Sequence, residues 1–292
     1  MIIDAHTHLF PDEVRKKRKK FSARDEGFQL LYGGKKTRLA GIQDLLETMD
    51  REKVDQSVVC GFPWKDPGLC REGNDHLLEG ARKFPDRILP FICPPLHSLI
   101  QAEKEVARCL SGGAKGIGEL AFYDGGITAQ GVRRLLSLAR SLQGTGVPVL
   151  LHMSEPVGHD YPGKTPRTLQ GIYHLLRQNP GVDLILAHWG GGFFFYELMP
   201  EVARAARRVY YDTAASPFLY RPQVYSLAVR IVGPDRILWG SDFPLLSPAR
   251  YFREMVEAGL SPRVRSKIQG GNAERLFARR IMAGFDREDR VQ

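Results

Sequence analysis

His6-Thr7-His8 places two imidazoles two residues apart at the end of a short run that begins Ile2-Ile3. On an extended strand, residues i and i+2 share a face, so both rings can reach one cation. His-x-His occurs by chance in many sequences. It gains weight here because further polar residues close later apolar runs. Glu119 closes Gly116-Ile117-Gly118-Glu119, and His152 closes Leu150-Leu151-His152. His188 follows Leu186-Ala187, and Asp242 follows Trp239-Gly240-Ser241. Imidazoles plus a carboxylate suit Zn²⁺ first, or another first-row divalent ion, in a site with an open position. Such an ion lowers the pKa of bound water from 15.7 to about 7, and a neighbouring carboxylate is a natural general base.

These residues need a frame that brings distant positions to one rim. Short apolar, β-branched runs begin near Ile2, Gln56, Ile88, Ala114, Val147, Asp183, Val209 and Ile237, with room for a helix after each. Several are continuous rather than alternating, as in Ser57-Val58-Val59-Cys60 and Leu184-Ile185-Leu186-Ala187. That pattern fits parallel strands covered on both faces. Between them, Leu45, Leu46 and Met49 form one helical stripe, and Val132, Leu135, Leu136 and Ala139 another. The expectation is an α/β fold, a (β/α)₈ TIM barrel, as a single domain over residues 1–292. The longest gap leaves an insertion over roughly residues 10–40, after the first strand, as a lid or substrate wall. Barrel enzymes keep their reacting groups where these polar residues fall, at the C-terminal ends of strands.

Composition excludes several classes. Of 292 residues, 43% are hydrophobic and 26% charged, an ordinary soluble balance. No stretch approaches the roughly 20 apolar residues of a membrane span. The N-terminus lacks a basic region and cleavage site, so the expected compartment is the cytoplasm. The net charge of +9 owes much to Arg15-Lys16-Lys17-Arg18-Lys19-Lys20. That run reads as a solvated helix face after Pro11. No aromatics interleave with it, which argues against nucleic acid as a partner. Cys60, Cys70, Cys93 and Cys109 form no CxxC pair and read as buried thiols.

The motifs resemble the amidohydrolase superfamily. Ala187-His188-Trp189-Gly190-Gly191, Tyr211-Asp212-Thr213-Ala214, Gly240-Ser241-Asp242-Phe243-Pro244 and Gly271-Asn272-Ala273-Glu274-Arg275-Leu276 narrow it. They resemble the amidohydrolase-related family that includes aminocarboxymuconate semialdehyde decarboxylase. The resemblance implies that His6, His8, His152 and Asp242 are metal ligands. It makes Asp242 the group that handles the proton of metal-bound water, and His188 the residue that polarises substrate or shuttles a proton. Glu119 departs from the one-metal members. In TatD-type deoxyribonucleases, a related branch, a glutamate there bridges two metals, so one ion or two is expected, with Glu119 either recruiting a second ion or hydrogen-bonding to a group that ligates the first. Lys115, sharing parity with Glu119, offers a carboxylated-lysine bridge instead, and Asp4, sharing parity with His6, offers Lys115 an ion pair.

In the loop after the fifth strand, His159, Tyr161 and Lys164 are candidates to meet a substrate carboxylate or phosphate. Arg24 and Trp64 are candidates to line the pocket. His76, His97 and His174 lie away from strand ends and read as structural. The first expectation is a metal-dependent hydrolase acting on a small anionic amide, ester or lactone. The alternatives are a non-oxidative decarboxylase or hydratase of an unsaturated or aromatic acid, and a TatD-like phosphodiesterase or nuclease. A small-molecule substrate, no membrane partner and a homo-oligomer complete the expectations.

Overall fold

The computed structural model describes residues 1–34 and 37–278. Eight parallel strands follow one another around a barrel in chain order. They are β1 (Ile3–His8), β2 (Gln56–Cys60), β3 (Ile88–Ile92), β4 (Gly116–Leu120), β5 (Val149–Leu151), β6 (Leu184–Leu186), β7 (Val209–Asp212) and β8 (Ile237–Leu238). Helices flank the strands, as the continuous apolar runs require. The expected starts agree closely; the largest differences are Ala114 against Gly116 and Val147 against Val149.

Closure between β8 and β1 runs mainly through the segment following β8. Ala5 N–H donates to Trp239 O at 2.8 Å, Asp242 N–H to His6 O at 2.9 Å, and His8 N–H to Phe243 O at 2.9 Å. The bonds that shut the barrel therefore also pin Asp242 beside the two histidines of β1.

Two apolar layers fill the structure. Val58, Cys60, Leu89, Phe91, Leu150, Ile185 and Leu238 form a buried cluster that Ala273 and Leu276 join from the C-terminal end of the described chain. Each fully buried side chain of this size contributes about 1.5–3 kcal/mol. Gly116 is required by this packing, because a Cβ there would lie 2.3 Å from the Phe91 ring. The predicted helical stripes form part of the larger cluster. Leu45, Leu46 and Met49 come from the helix Ile42–Glu52, and Val132, Leu135, Leu136 and Ala139 from Ala129–Ser141.

Strict alternation fails in two strands. The β1–β2 register shifts between Asp4 and Thr7, and the β4–β5 register shifts between Ile117 and Leu120. Such irregularities re-aim side chains. Lys115 itself precedes β4 and is half-buried. Asp4 accepts the backbone N–H groups of His6 at 3.2 Å and Ser241 at 2.9 Å, and so braces β1 against the segment after β8.

The insertion after β1 folds as three short helices, Asp12–Lys16, Arg18–Ser22 and Glu26–Tyr32. Asp25 caps the third by accepting Phe28 N–H at 2.9 Å, and it accepts Lys65 N–H at 2.9 Å from the loop after β2. Phe10, Phe21, Phe28, Phe62 and Trp64 pack beneath them as an aromatic core. In the basic run, Arg15 pairs with Asp12 and Asp44, Lys16 with Asp12, and Lys17 and Lys20 with Glu13. All four cysteines are buried and free. Among the described residues, no helix is long and apolar enough to cross a membrane.

Candidate active site

At the C-terminal mouth, the Nε2 atoms of His6 and His8 approach to 3.0 Å. His6 is held from behind. Its Nδ1 lies 2.8 Å from Asp212 Oδ2, with both side chains fully buried. A carboxylate on one ring nitrogen fixes the tautomer and turns the other nitrogen inward as an acceptor. The other Asp212 oxygen accepts backbone N–H groups from His188 and Ala214, each at 3.0 Å. Asp212 was not among the expected site residues. The signal was present, since it ends β7 as the other polar residues end their strands.

Glu119 occupies the centre. Its Oε2 lies 3.7 Å from His6 Nε2 and 3.6 Å from His8 Nε2. Its Oε1 lies 3.0 Å from His152 Nδ1 and 3.5 Å from His188 Nε2. Asp242 Oδ1 adds a donor 3.3 Å from His8 Nε2 and 3.9 Å from His6 Nε2. At a metal–ligand distance near 2.1 Å, ligand atoms on one ion lie about 3.0–3.4 Å apart in octahedral or tetrahedral arrangement. The observed spacings approach that range, so the donor set fits a divalent ion. Among the described residues, two groups bring their donor atoms within 4.8 Å of one another, His6–His8–Glu119 and Glu119–His152–His188, and Glu119 belongs to both.

The backbone is specialised at the same points. His188 (φ 56°) and Asp242 (φ 57°) occupy the left-handed region, which non-glycine residues adopt at a cost and chiefly at functional sites. His188 Nδ1–H donates to Ala214 O at 3.0 Å, which points Nε2 toward His152 Nδ1 at 3.2 Å. After His188, Gly191 passes so close to Ser154 that a Cβ would lie 2.4 Å from its carbonyl oxygen.

Electrostatics bind these groups to one another. Burial disfavours charge on His6, but Asp212 and Glu119 outweigh it and hold its pKa well above the usual range. Burial is likewise opposed at His188, where Glu119 and Asp242 raise the pKa to about 9. Glu119 is pulled well below the carboxylate range against its burial, by His6 and His152. Asp242 falls to about 2, again against burial, through His8, His6 and His188. Without a metal, protons on imidazoles neutralise the carboxylates. A cation would replace those protons.

The other predicted residues lie elsewhere. Trp64 is only 4% exposed and stacks on Phe28 at 4.8 Å, so it is core beneath the insertion. Arg24 pairs with Asp66 at 2.8 Å on an outer hollow lined by Ser22, Glu26 and Lys65. Lys164 donates to the carbonyls of Val157, Gly158 and His159 at 2.9–3.1 Å, so it staples its own loop. Tyr161 donates to Glu155 at 2.9 Å, and the His159 ring lies 5.5 Å from the Tyr161 ring. That loop reaches the cluster through Gly163, whose carbonyl lies 3.0 Å from His152 Nε2. His76 and His174 lie in the flanking helices Pro67–Lys83 and Thr168–Arg177. Sequence reasoning also missed Tyr32 and Tyr123. The Tyr123 ring lies 5.6 Å from His152, and Tyr32 packs on Phe10 at 4.9 Å.

A family model described as amidohydrolase matches residues 3–279. A gamma-resorcylate decarboxylase from Rhizobium sp. (strain MTP-10005) is 25% identical over 254 residues, covering 72% of this chain and 76% of that protein. The fold is similar to that of a 5-carboxyvanillate decarboxylase from Sphingomonas paucimobilis, with TM-score 0.72, 17% identity, and coverage of 94% of this chain and 98% of that one. It is also similar to a dihydroxybenzoic acid decarboxylase from Polaromonas sp. JS666 with bound manganese and the inhibitor 2-nitroresorcinol. There the TM-score is 0.70 and the identity 19%, over 94% of this chain and 96% of that one.

Proposed function

This chain belongs to the amidohydrolase family, and within it we propose a divalent-metal-dependent, non-oxidative decarboxylase of a small aromatic acid. The observation that carries the proposal is the convergence of His6, His8, Glu119 and Asp242 at the barrel mouth, with the Tyr123 ring 5.6 Å from His152. The likeness to decarboxylases of resorcylate and carboxyvanillate favours this over the hydrolysis that the motifs suggested first. Manganese in one of those structures makes it a candidate beside zinc.

In the reaction, the bond between ring carbon and carboxylate breaks, the electron pair stays on the ring, carbon dioxide leaves, and the ring carbon takes a proton. His6, His8, His152 and Asp242, with Glu119, would hold the metal. The bound metal would supply Lewis acidity toward anionic oxygens of the substrate. His188 is the proton reserve: its Nδ1–H is committed to Ala214 O, which leaves Nε2 facing the cluster to hold or release a proton. Asp242 lies close enough to lower its own pKa through the His188 charge. In this reading Asp242 relays that proton to the ring carbon. Asp212 keeps His6 and the His188 backbone in register while this happens.

Incubating manganese- and zinc-loaded protein with a panel of hydroxybenzoates, and following acid loss and carbon dioxide together, tests the reading. Equimolar carbon dioxide supports it. Turnover of esters or lactones, with none of the benzoates, would replace it with hydrolysis.

A further inference from the structure

His152 turns Nδ1, not Nε2, toward the cluster. Its Nδ1 lies 3.0 Å from Glu119 Oε1 and 3.2 Å from His188 Nε2. Nε2 meets two groups on the other side, Gly163 O at 3.0 Å and Ser154 Oγ at 3.3 Å. A carbonyl only accepts, so it requires a proton on Nε2, whereas a hydroxyl can accept or donate. Ser154 is fully buried, and its Oγ already accepts Thr165 N–H at 3.1 Å. Its own proton can go to Thr165 Oγ1 at 3.4 Å or to His152 Nε2. With the carbonyl in place, His152 keeps Nε2–H and offers Nδ1 as a lone pair. Without it, Ser154 can donate to Nε2. The ring proton then sits on Nδ1, and the nitrogen facing the cluster can no longer take a cation.

The loop after β5 is built to hold that carbonyl. Tyr161-Pro162-Gly163-Lys164 is a turn closed by Lys164 N–H to Tyr161 O at 3.1 Å. Gly163 has φ +91°, which glycine adopts freely, and a Cβ there would lie 2.6 Å from Leu31 of the insertion. Lys164 then folds back over the loop. Its Nζ donates to the carbonyls of Val157, Gly158 and His159 and lies 5.8 Å from the centre of the Tyr161 ring. Its three ammonium protons match those three carbonyls, and its side chain is only 15% exposed, while Asp160 stands 3.9 Å off in solvent. The charge therefore closes residues 157–164 into a ring, one residue from the carbonyl that meets His152.

We infer that Lys164 and Gly163 are positioning residues for His152. The ammonium closes the loop, the loop presents Gly163 O, and that carbonyl selects the tautomer able to ligate a cation. This rests on the metal reading of the cluster and gives the loop a part in retaining the ion, in place of the substrate contact its charge suggested.

Long-range proton–nitrogen NMR spectra separate the Nε2–H and Nδ1–H forms of an imidazole. They are recorded on metal-free and zinc-loaded protein, with zinc affinity taken from chelator competition. Wild-type His152 should carry its neutral-ring proton on Nε2 in both. Lys164→Met removes the ammonium and keeps the stem. It should move that proton toward Nδ1 in metal-free protein and lower zinc affinity about 10–100-fold. Gly163→Ala should do the same through the turn. A wild-type ring in the Nδ1–H form overturns the inference. So does a folded Lys164→Met protein with an unmoved tautomer, even if affinity falls, because that marks a purely structural role. Affinity within about twofold of wild type overturns it as well. Thermal melts show which variants fold, and the wild-type spectrum decides alone if neither does. Zinc that leaves the wild-type His152 resonances in place defeats the metal reading, and the metal-free tautomers still test the loop.

Discussion

Asp212 and His6, 206 positions apart in the chain, share a 2.8 Å hydrogen bond between fully buried side chains. That bond decides which imidazole nitrogen faces the centre of the barrel mouth. Asp212→Asn should leave the barrel folded but permit the wrong tautomer. Partners of this kind typically contribute 10–100-fold to metal affinity. Competition titration against a chromogenic chelator should show a loss in about that range. A change under twofold would mean that His6 is oriented by something else.

Glu119 faces both halves of the donor cluster. Glu119→Gln should lower metal occupancy after dialysis, measured by elemental analysis. It should also lower the pKa of His188, because Glu119 is the foremost group raising it against burial. Imidazole resonances followed by NMR in metal-free protein report that shift. An unmoved His188 titration would remove Glu119 from the centre of the cluster.

The metal-free protein should lose stability on the alkaline side. His188 titrates near 9 in the fold against 6.5 for an ordinary histidine, and His6 shifts the same way. Their protonated forms are favoured by folding, so the stabilisation is complete below about pH 6.5 and declines as pH rises through 9. Asp242 behaves oppositely. Its folded pKa of about 2 is below the ordinary 3.8, so its contribution holds above 3.8 and is lost as pH falls through 2. Melting temperatures between pH 6 and 10 should therefore fall. Saturating metal should flatten the decline, because bound cation replaces the protons. A rising melting temperature over that interval contradicts the assignment.

Gly116 tests the barrel interior without touching the mouth. A Cβ at this position would meet the Phe91 ring at 2.3 Å. Gly116→Ala should cost about 1–3 kcal/mol in urea unfolding through overpacking. A neutral result would mean that the ring moves aside freely.

The strands were legible because buried parallel strands need unbroken apolar runs, as in Leu150-Leu151 and Ile185-Leu186, and because a polar residue closing such a run stands out. That grammar found His6, His8, Glu119, His152, His188 and Asp242. It applied equally to Asp212, whose part as a brace for His6 shows only once β7 lies near β1. Lys164 reads as an anion binder from its charge alone. Its three carbonyl partners belong to a loop path that turn-forming residues permit but do not specify. Trp64 reads as pocket lining by its place after β2, yet the insertion covers it.

The seam from Ala5, His6 and His8 to Trp239, Asp242 and Phe243 ties the reaction centre to the order of synthesis. The chain must be made through Phe243 before the first histidines meet Asp242. A nascent chain stopped short of the eighth strand would hold His6 and His8 at an open edge, unable to retain a cation tightly. Metal capture should therefore come late in biogenesis.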